Sequence, residues 1–157
     1  MATVPGVTFT LDRVRYDSDE ARGLITELQA EYVVRYGGPD ATPVDPDEFD
    51  SPNGAFFVGY IDGEPVGCAG LRKRSHADIE VKRMFIRQPF RGRGWSRTLL
   101  GLLEDEARAL GFERIILETG MQQPEAMGLY ESSGYEPIPG FGHYRDSPLN
   151  RCYAKAL

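Results

Sequence analysis

The sequence predicts one domain built of both strands and helices, of the α+β kind within the α/β class, and three stretches predict it. AFFVGYIDGEPVGCAGLRKR (55–74) holds two apolar-rich runs about an Asp-Gly turn, a hairpin pattern. The strand pattern continues in DIEVKRMFI (78–86), and helical apolar periods recur between about residues 19 and 36 and between 94 and 110. At 157 residues with 41% hydrophobic content, the chain can bury one sizeable core, and residues 1–157 are read as a single unit.

Taken in order, TFTLDRVR (8–15) alternates as a first strand. Ser18 or Asp19 then caps a helix reaching about Tyr36, with Leu24, Leu28 and Tyr32 at the helical period, Ile25 alongside, and the GGP of 37–39 as its stop. ATPVDPDEFDSPNG is rich in proline and acid, so it reads as a loop with one short helical turn, a lid or rim element outside the core. The hairpin strands cover 55–60 and 65–71. In the strand after them Ile79, Val81, Arg83 and Phe85 fall on one face and Glu80, Lys82, Met84 and Ile86 on the other, so Glu80 points away from the Val81 side. A helix over 94–110 carries Trp95, Leu99, Leu102, Leu103 and Leu110 and stops at Gly111. RIILET (114–119) is a short buried strand, a helix starts at Pro124 and ends at Gly134, a strand lies near Tyr135, and RCYAKAL closes the chain.

Composition excludes several classes of function. A net charge of -6 without any run of five like charges speaks against a nucleic-acid partner and mildly favours a cationic one. Arg72-Lys73-Arg74 reads as a solvated strand end. No apolar run approaches the roughly 18 residues of a membrane span. The first residues have neither a basic nor a long apolar leader region, and the two cysteines lack metal spacing, so a soluble cytoplasmic protein without metal or membrane partner is expected. Cys68 and Cys152 read as small buried strand residues. His76 and His143 are too few for a metal cluster and read as loop residues, with a substrate role for His143 as the alternative.

The segment RQPFRGRGWSRTLLGLLEDEARALG (87–111) raises the question of chemistry, because a strand, two glycines between arginines and a helix start come together. First-turn N–H groups lack intrahelical partners and the helix dipole favours an anion, so Gly92 and Gly94 would let a diphosphate approach bare backbone. Arg91, Arg93 or Arg97 would add charge-assisted hydrogen bonds. The Gly-Lys-Ser/Thr ending of a Walker loop is missing, and Arg97 occupies the last position of a G-x-G-x-x-G. A plain turn and helix cap remains the alternative reading of this segment alone.

EVKRMFIRQPFRGRGWSRTLL (80–100) resembles motif A of the GNAT superfamily of acyl-coenzyme A-dependent N-acetyltransferases, [QR]-x-x-G-x-[GA], with Arg91, Gly94 and Ser96 in the fixed places. Ser96 departs from the final glycine or alanine but stays small. AMGLYESSGYEP (126–137) is similar to the family's A-x-x-L-Y-x-x-x-G-F/Y segment, and the order and separation of the two motifs agree. The resemblance implies a mixed central sheet splayed into a V, helices on both faces, and acetyl-coenzyme A as acetyl donor with its pantetheine arm between the strands at 81–86 and 114–119. Backbone groups of Met84, Phe85 and Ile86 would pair with the pantetheine amides, and the backbone of Arg91, Gly92, Arg93, Gly94, Trp95 and Ser96 would hold the pyrophosphate, the Trp95 side chain serving as a core anchor. The family often places a cofactor-contacting asparagine ahead of the second motif; Gln122 and Gln123 stand there, and Gln123 is the candidate. A small-molecule or peptide amine is the implied acceptor, and the superfamily's habits allow a homodimer.

An acceptor amine of pKa near ~10 must lose a proton before it attacks a thioester, and an expelled thiolate of pKa near ~8.5 leaves more easily when protonated. The resemblance offers Glu80 as general base and Tyr130 as general acid. The plain alternatives are an ion pair of Glu80 with Lys82 or an arginine, and a half-buried tyrosine on a short helix. Asp45, Asp47, Glu48 and Asp50 either attract a cationic acceptor or form a solvated acidic loop. Three functions thus compete: an N-acetyltransferase working by direct attack, an acyl-coenzyme A-binding sensor without turnover, and an unrelated nucleotide-binding module.

Overall fold

The computed structural model describes residues 2–4 and 6–157. Strands and helices follow as β1 (Ala2–Val4), β2 (Val7–Val14), α1 (Asp19–Tyr36), β3 (Gly54–Ile61), β4 (Glu64–Lys73), β5 (Asp78–Ile86), α2 (Trp95–Ala109), β6 (Arg114–Gly120), α3 (Pro124–Ser132), β7 (Glu136–Ile138) and β8 (Asn150–Ala156). Short 3-10 turns stand at Pro46–Phe49 and Gln88–Phe90. The strands form one sheet in the order β1-β2-β3-β4-β5-β6-β8-β7. Every neighbouring pair is antiparallel except β5 and β6, which are parallel and joined through α2.

Local chemistry explains the boundaries. The Ser18 hydroxyl accepts from the Ala21 N–H to start α1, and Gly37 ends it in the left-handed region at φ 82. Asp62 (φ 51) and Gly63 (φ 79) form the tight turn between β3 and β4, the geometry that matches the strands' twist.

Two apolar clusters sit on opposite faces of the sheet. On one, Ala21, Leu24 and Leu28 of α1 pack with Phe56, Val58, Cys68 and Phe85. On the other, Leu99, Leu100, Leu103 and Ala107 of α2 pack with Ile79, Val81, Ile115 and Leu117, and Tyr130 of α3 joins them. Fully burying an aliphatic side chain of this kind contributes about 1.5–3 kcal/mol, so these faces fix where the helices lie.

Three expectations change. The chain has an additional edge strand, β1, pairing antiparallel with β2 from Ala2↔Phe9 to Val4↔Val7. The segment after α1 is more than a rim, because Phe49 is 1% exposed, stacks on Tyr16 at 4.8 Å and meets Phe56 edge-on. Strict alternation in β5 also fails. The register with β4 shifts between Cys68 and Gly70, Arg83 takes φ 57, and Phe85 packs with α1 whereas Met84 and Ile86 pack with the α2 cluster. A bulge places two consecutive residues, Lys82 and Arg83, on the α1 side, and every later residue changes face.

Candidate active site

The bulge lies where the sheet forks. β5 and β6 pair only from Asp78↔Arg114 to Val81↔Leu117. Beyond that point β5 stays with β4 as far as Gly67↔Ile86, and β6 stays with β8 as far as Gly120↔Asn150. The two strands therefore part into a V, and the inner edge of β5 from Lys82 onward has no strand partner in β6. A cavity of about 320 Å³ occupies the opening. Its walls come from Lys82, Arg83 and Met84 on one arm, Glu118, Thr119 and Gly120 on the other, Tyr130 and Gln123 from α3 and its approach, and Asp40 and Tyr144 from two loops.

Lys82 and Glu118 are the first residues past the fork. Glu118 follows Leu117 of the α2 cluster and so faces the α1 side, as Lys82 does. Lys82 Nζ lies 3.2 Å from Thr42 Oγ1 and 3.5 Å from Asp40 Oδ2, and Arg83 Nη1 lies 2.9 Å from the same Asp40 oxygen. Burial alone would raise the Asp40 carboxyl, but Lys82, the Thr42 hydroxyl and Arg83 hold it at about 2. Glu118 goes the other way. Desolvation pushes its carboxyl above the ordinary value; Lys82 and the Tyr144 backbone oppose the shift, and the charges of Glu80 and Asp40 add to it. Its Oε1 is buried without a hydrogen-bond partner, and a Cβ on Gly142 would fall 2.7 Å from Oε2. The bare backbone at Gly142 thus packs directly over this carboxylate, and a side chain there would have to displace it. The Tyr144 hydroxyl accepts from the Ala41 N–H at 2.7 Å, tying that loop to the one after α1.

Tyr130 reaches the cavity from α3. Its ring is tilted against Tyr135 and Tyr153, and its hydroxyl lies 3.9 Å from Met84 Sδ. Burial pushes its phenol up to about 12, so it keeps its proton at neutral pH. Gln123 also lines the cavity and donates to the Tyr36 hydroxyl at 3.3 Å.

At the outer end of β5 the phosphate-type loop has the backbone that the glycines require. Gly92 and Gly94 sit at φ 78 and 84, and a Cβ on either would meet nothing within 4 Å, so the conformation and not crowding demands glycine. Thr98 N makes the first helical bond, to Gly94 O, and no side chain caps α2, so the N–H groups of Trp95, Ser96 and Arg97 lack helical acceptors. The arginines are arranged otherwise than the sequence suggests. Arg91 Nε donates to Ile86 O at 2.8 Å and its Nη1 lies 2.7 Å from Glu31, while Arg97 donates to the hydroxyls of Ser132 and Ser133. Arg93 is exposed. The Trp95 side chain is buried and stacks on Phe9 at 5.4 Å.

A family model described as the acetyltransferase (GNAT) family matches residues 23–135. The chain belongs to the GNAT acetyltransferase family. A relative named IAA acetyltransferase, from Azospirillum brasilense, is 37% identical over 107 residues, 68% of this chain and 70% of that protein. A Klebsiella pneumoniae structure described as an acyl-CoA N-acyltransferase superposes with a TM-score of 0.79 at 27% identity, covering 95% of this chain and 97% of that one. A GNAT acetyltransferase from Elizabethkingia anophelis, solved with acetyl-CoA bound, shares the fold at a TM-score of 0.68 and 15% identity, covering 95% and 98% of the two chains. The fork, the free inner edge of β5 and the uncapped start of α2 fit an acyl-CoA of the kind this family uses.

The residues expected at the site divide into two groups. Met84, Tyr130 and Gln123 line the cavity, and Phe85, Ile86 and the turn of 91–96 lie on the arm and loop that lead from it. Glu80 is not among its lining residues. It lies one register step inside the fork, opposite Ile116, 1% exposed, with Arg72 Nε 3.0 Å and Arg74 Nη1 3.9 Å from Oε1. Arg72 in turn donates to Pro43 O and Glu48. Of the loop acids, Asp50 and Asp47 pair with Arg15, and Asp45 and Glu48 cap the 3-10 turn in a reciprocal box. His143 is exposed and edge-on to Tyr144. Sequence reasoning alone does not single out Asp40, Lys82, Arg83, Glu118 or Tyr144 as site residues. For Glu118 a signal exists: an ionisable residue directly after the apolar buried run Ile115, Ile116 and Leu117.

Proposed function

We propose that this GNAT member transfers acetyl from acetyl-coenzyme A to a primary amine by direct attack. The observation that carries the reading is that Glu118, a carboxylate with raised basicity and an unused oxygen, and Tyr130, a protonated phenol, line one cavity at the fork. Acetyl-coenzyme A supplies the acetyl thioester. The free edge at Met84, Phe85 and Ile86 pairs with its pantetheine amides, the N–H groups from Gly92 to Arg97 hold its pyrophosphate with Arg93 as the exposed cation nearby, and Gln123 contacts it from the approach to α3.

An ammonium acceptor gives one proton to Glu118, the freed amine forms the new bond to the acetyl carbon, the carbon–sulfur bond breaks as the Tyr130 hydroxyl donates to the departing sulfur, and the second nitrogen proton, lost as the amide forms, returns through solvent to restore the phenol. The neighbouring Met84 sulfur at 3.9 Å marks the ground around that hydroxyl as compatible with sulfur. Glu80 acts here from behind the cavity, pairing with the buried Arg72 and adding negative charge that keeps Glu118 basic. Cys68 supports direct attack over a covalent enzyme intermediate, because burial pushes its thiol up to about 12, and burial raises Cys152 as well.

The test is a thermal-shift titration with acetyl-coenzyme A, coenzyme A and ATP, followed by thiol release across amine classes. Stabilisation by the coenzyme A ligands alone, with amine-dependent release, is the expected result. Absence of stabilisation at saturating acetyl-coenzyme A overturns the reading.

A further inference from the structure

The charges at the fork do not balance in pairs. Lys82 and Arg83, with side chains 8% and 4% exposed, share the single carboxylate of Asp40. Two buried cations against one anion leave a positive excess on that arm of the cavity, which Glu118 answers only from across the opening, through its attraction to Lys82. Arg83 also keeps a donor in reserve, because its Nε is buried and has no hydrogen-bond partner among the described residues. A buried charged donor left without an acceptor is destabilising unless something supplies one. The backbone adds an independent sign. Arg83 holds φ 57, a conformation unfavourable for a non-glycine residue, and the strained bulge is what sets its guanidinium beside Lys82 on the α1 side. Across the opening, Glu118 Oε1 is likewise buried without a partner. One cavity thus presents an orphaned cationic donor and an orphaned anionic acceptor.

A simple alkylamine or a lysine side chain answers only Glu118 and leaves Arg83 unmet. We propose that the acceptor is a small zwitterion: a primary amine bearing an anionic oxyacid group, carboxylate or phosphonate, a few bonds away. Its ammonium sits on Glu118 and its anion on Arg83 and Lys82, where a guanidinium offers parallel N–H donors to two oxygens. Asp40 is the internal anion that this group joins; it orders both cations while neutralising only one. The roughly 320 Å³ shared with the end of the acetyl donor favours a small acceptor. This inference rests on the transferase reading above and names its substrate class.

Matched amine pairs test it with the unmodified protein at fixed acetyl-coenzyme A: alanine against alaninamide, β-alanine against propylamine, and aminomethylphosphonate against methylamine, each followed by thiol release. At least one anionic amine is expected to exceed its neutral partner tenfold or more in kcat/KM, the carboxylate and phosphonate arms showing which oxyacid fits. Arg83→Met and Lys82→Met are expected to raise KM for that amine at least tenfold and shrink the preference, with thermal stabilisation by acetyl-coenzyme A retained. Neutral amines matching or exceeding their anionic partners overturn the proposal. Silence in every arm while acetyl-coenzyme A still stabilises the protein also overturns it. Loss of that stabilisation as well brings down the transferase reading itself.

Discussion

The two halves of the β5–β6 pair show what a fork does to buried charge. From Asp78 to Val81 the strands are joined, and the buried carboxylate in this half, Glu80, is closed off by Arg72 at 3.0 Å. One register step past the last pair the strands part, and the carboxylate there, Glu118, has a buried oxygen with no partner. Both face the α1 side of one sheet. In the joined half buried charge is matched and serves the fold; in the parted half it is left unmatched and is available to a ligand. The most severe challenge to this contrast is to neutralise the two glutamates in turn.

Glu118→Gln should have the largest effect. Removing a general base lowers turnover by about 10²–10⁴-fold, whereas stability at neutral pH should hold or increase. The sign follows from linkage. The folded carboxyl lies above its unfolded value of ~4.3, so between those two values the native state binds more protons and stability falls as pH rises. An uncharged amide at this position removes that cost; we therefore expect the melting temperature of Glu118→Gln relative to wild type to be higher at pH 7 than at pH 4. The wild-type rate should in turn fall on the acid side, with the ionisation in kcat/KM lying above that of a free glutamate. A rate within twofold of wild type for Glu118→Gln would return the base role to Glu80 or to water.

Glu80→Ala should behave in the opposite way. It removes one of the two carboxylates beside Arg72, 5% exposed at its side chain, whose Nε loses its acceptor while Glu48 stays 3.3 Å from Nη1, a change of about 1–3 kcal/mol in stability. Chemical denaturation should show it as a lower midpoint, and activity at a temperature where the variant is still folded should exceed that of Glu118→Gln. If Glu80→Ala keeps full stability and loses turnover, the assignments of the two carboxylates exchange.

The same contrast explains what can be read from the sequence. The joined parts follow period and punctuation: α1 ends where Gly37 stops it, the hairpin turns at Asp62-Gly63, and Ile79, Val81, Ile115 and Leu117 occupy one face as alternation requires. Motif resemblance marks the α2 loop and Tyr130, both of which depend on short contiguous segments. Glu118 and Arg83 escape because their roles arise from tertiary events. A one-residue bulge in β5 reverses which face Arg83 takes, and the end of strand pairing at Leu117 decides that Glu118 is unmatched; neither is encoded in residue spacing. Arg91 shows the converse, a motif residue at the expected position whose guanidinium is spent on Ile86 O and Glu31.

Tyr130→Phe extends the contrast to the α3 side of the parted half. Among the described residues the buried hydroxyl has the Met84 sulfur at 3.9 Å as its one partner, so its loss should change stability by no more than about 1 kcal/mol. Turnover should fall by roughly 10²-fold with little change in acetyl-coenzyme A affinity. Stopped-flow or steady-state thiol release beside calorimetry separates the two quantities, and an unchanged rate would remove Tyr130 from the proton path.

Gly94→Val probes the far end of the same arm, where the expected effect is smallest. Two costs have to be kept apart. Left-handed backbone at φ 84 is unfavourable for an L-residue by about 1–2 kcal/mol, which would lower the melting temperature without any ligand. The space a Cβ would enter is open, since nothing lies within 4 Å of it, so no packing clash adds to that cost. If the open space is where a pyrophosphate meets the Trp95 and Ser96 N–H groups, valine also blocks the approach, and acetyl-coenzyme A should bind about tenfold more weakly by calorimetry at a temperature where the variant is folded. A variant with a lowered melting temperature and unaltered affinity would reduce Gly94 to a helix-starting residue and move the pyrophosphate site away from this turn.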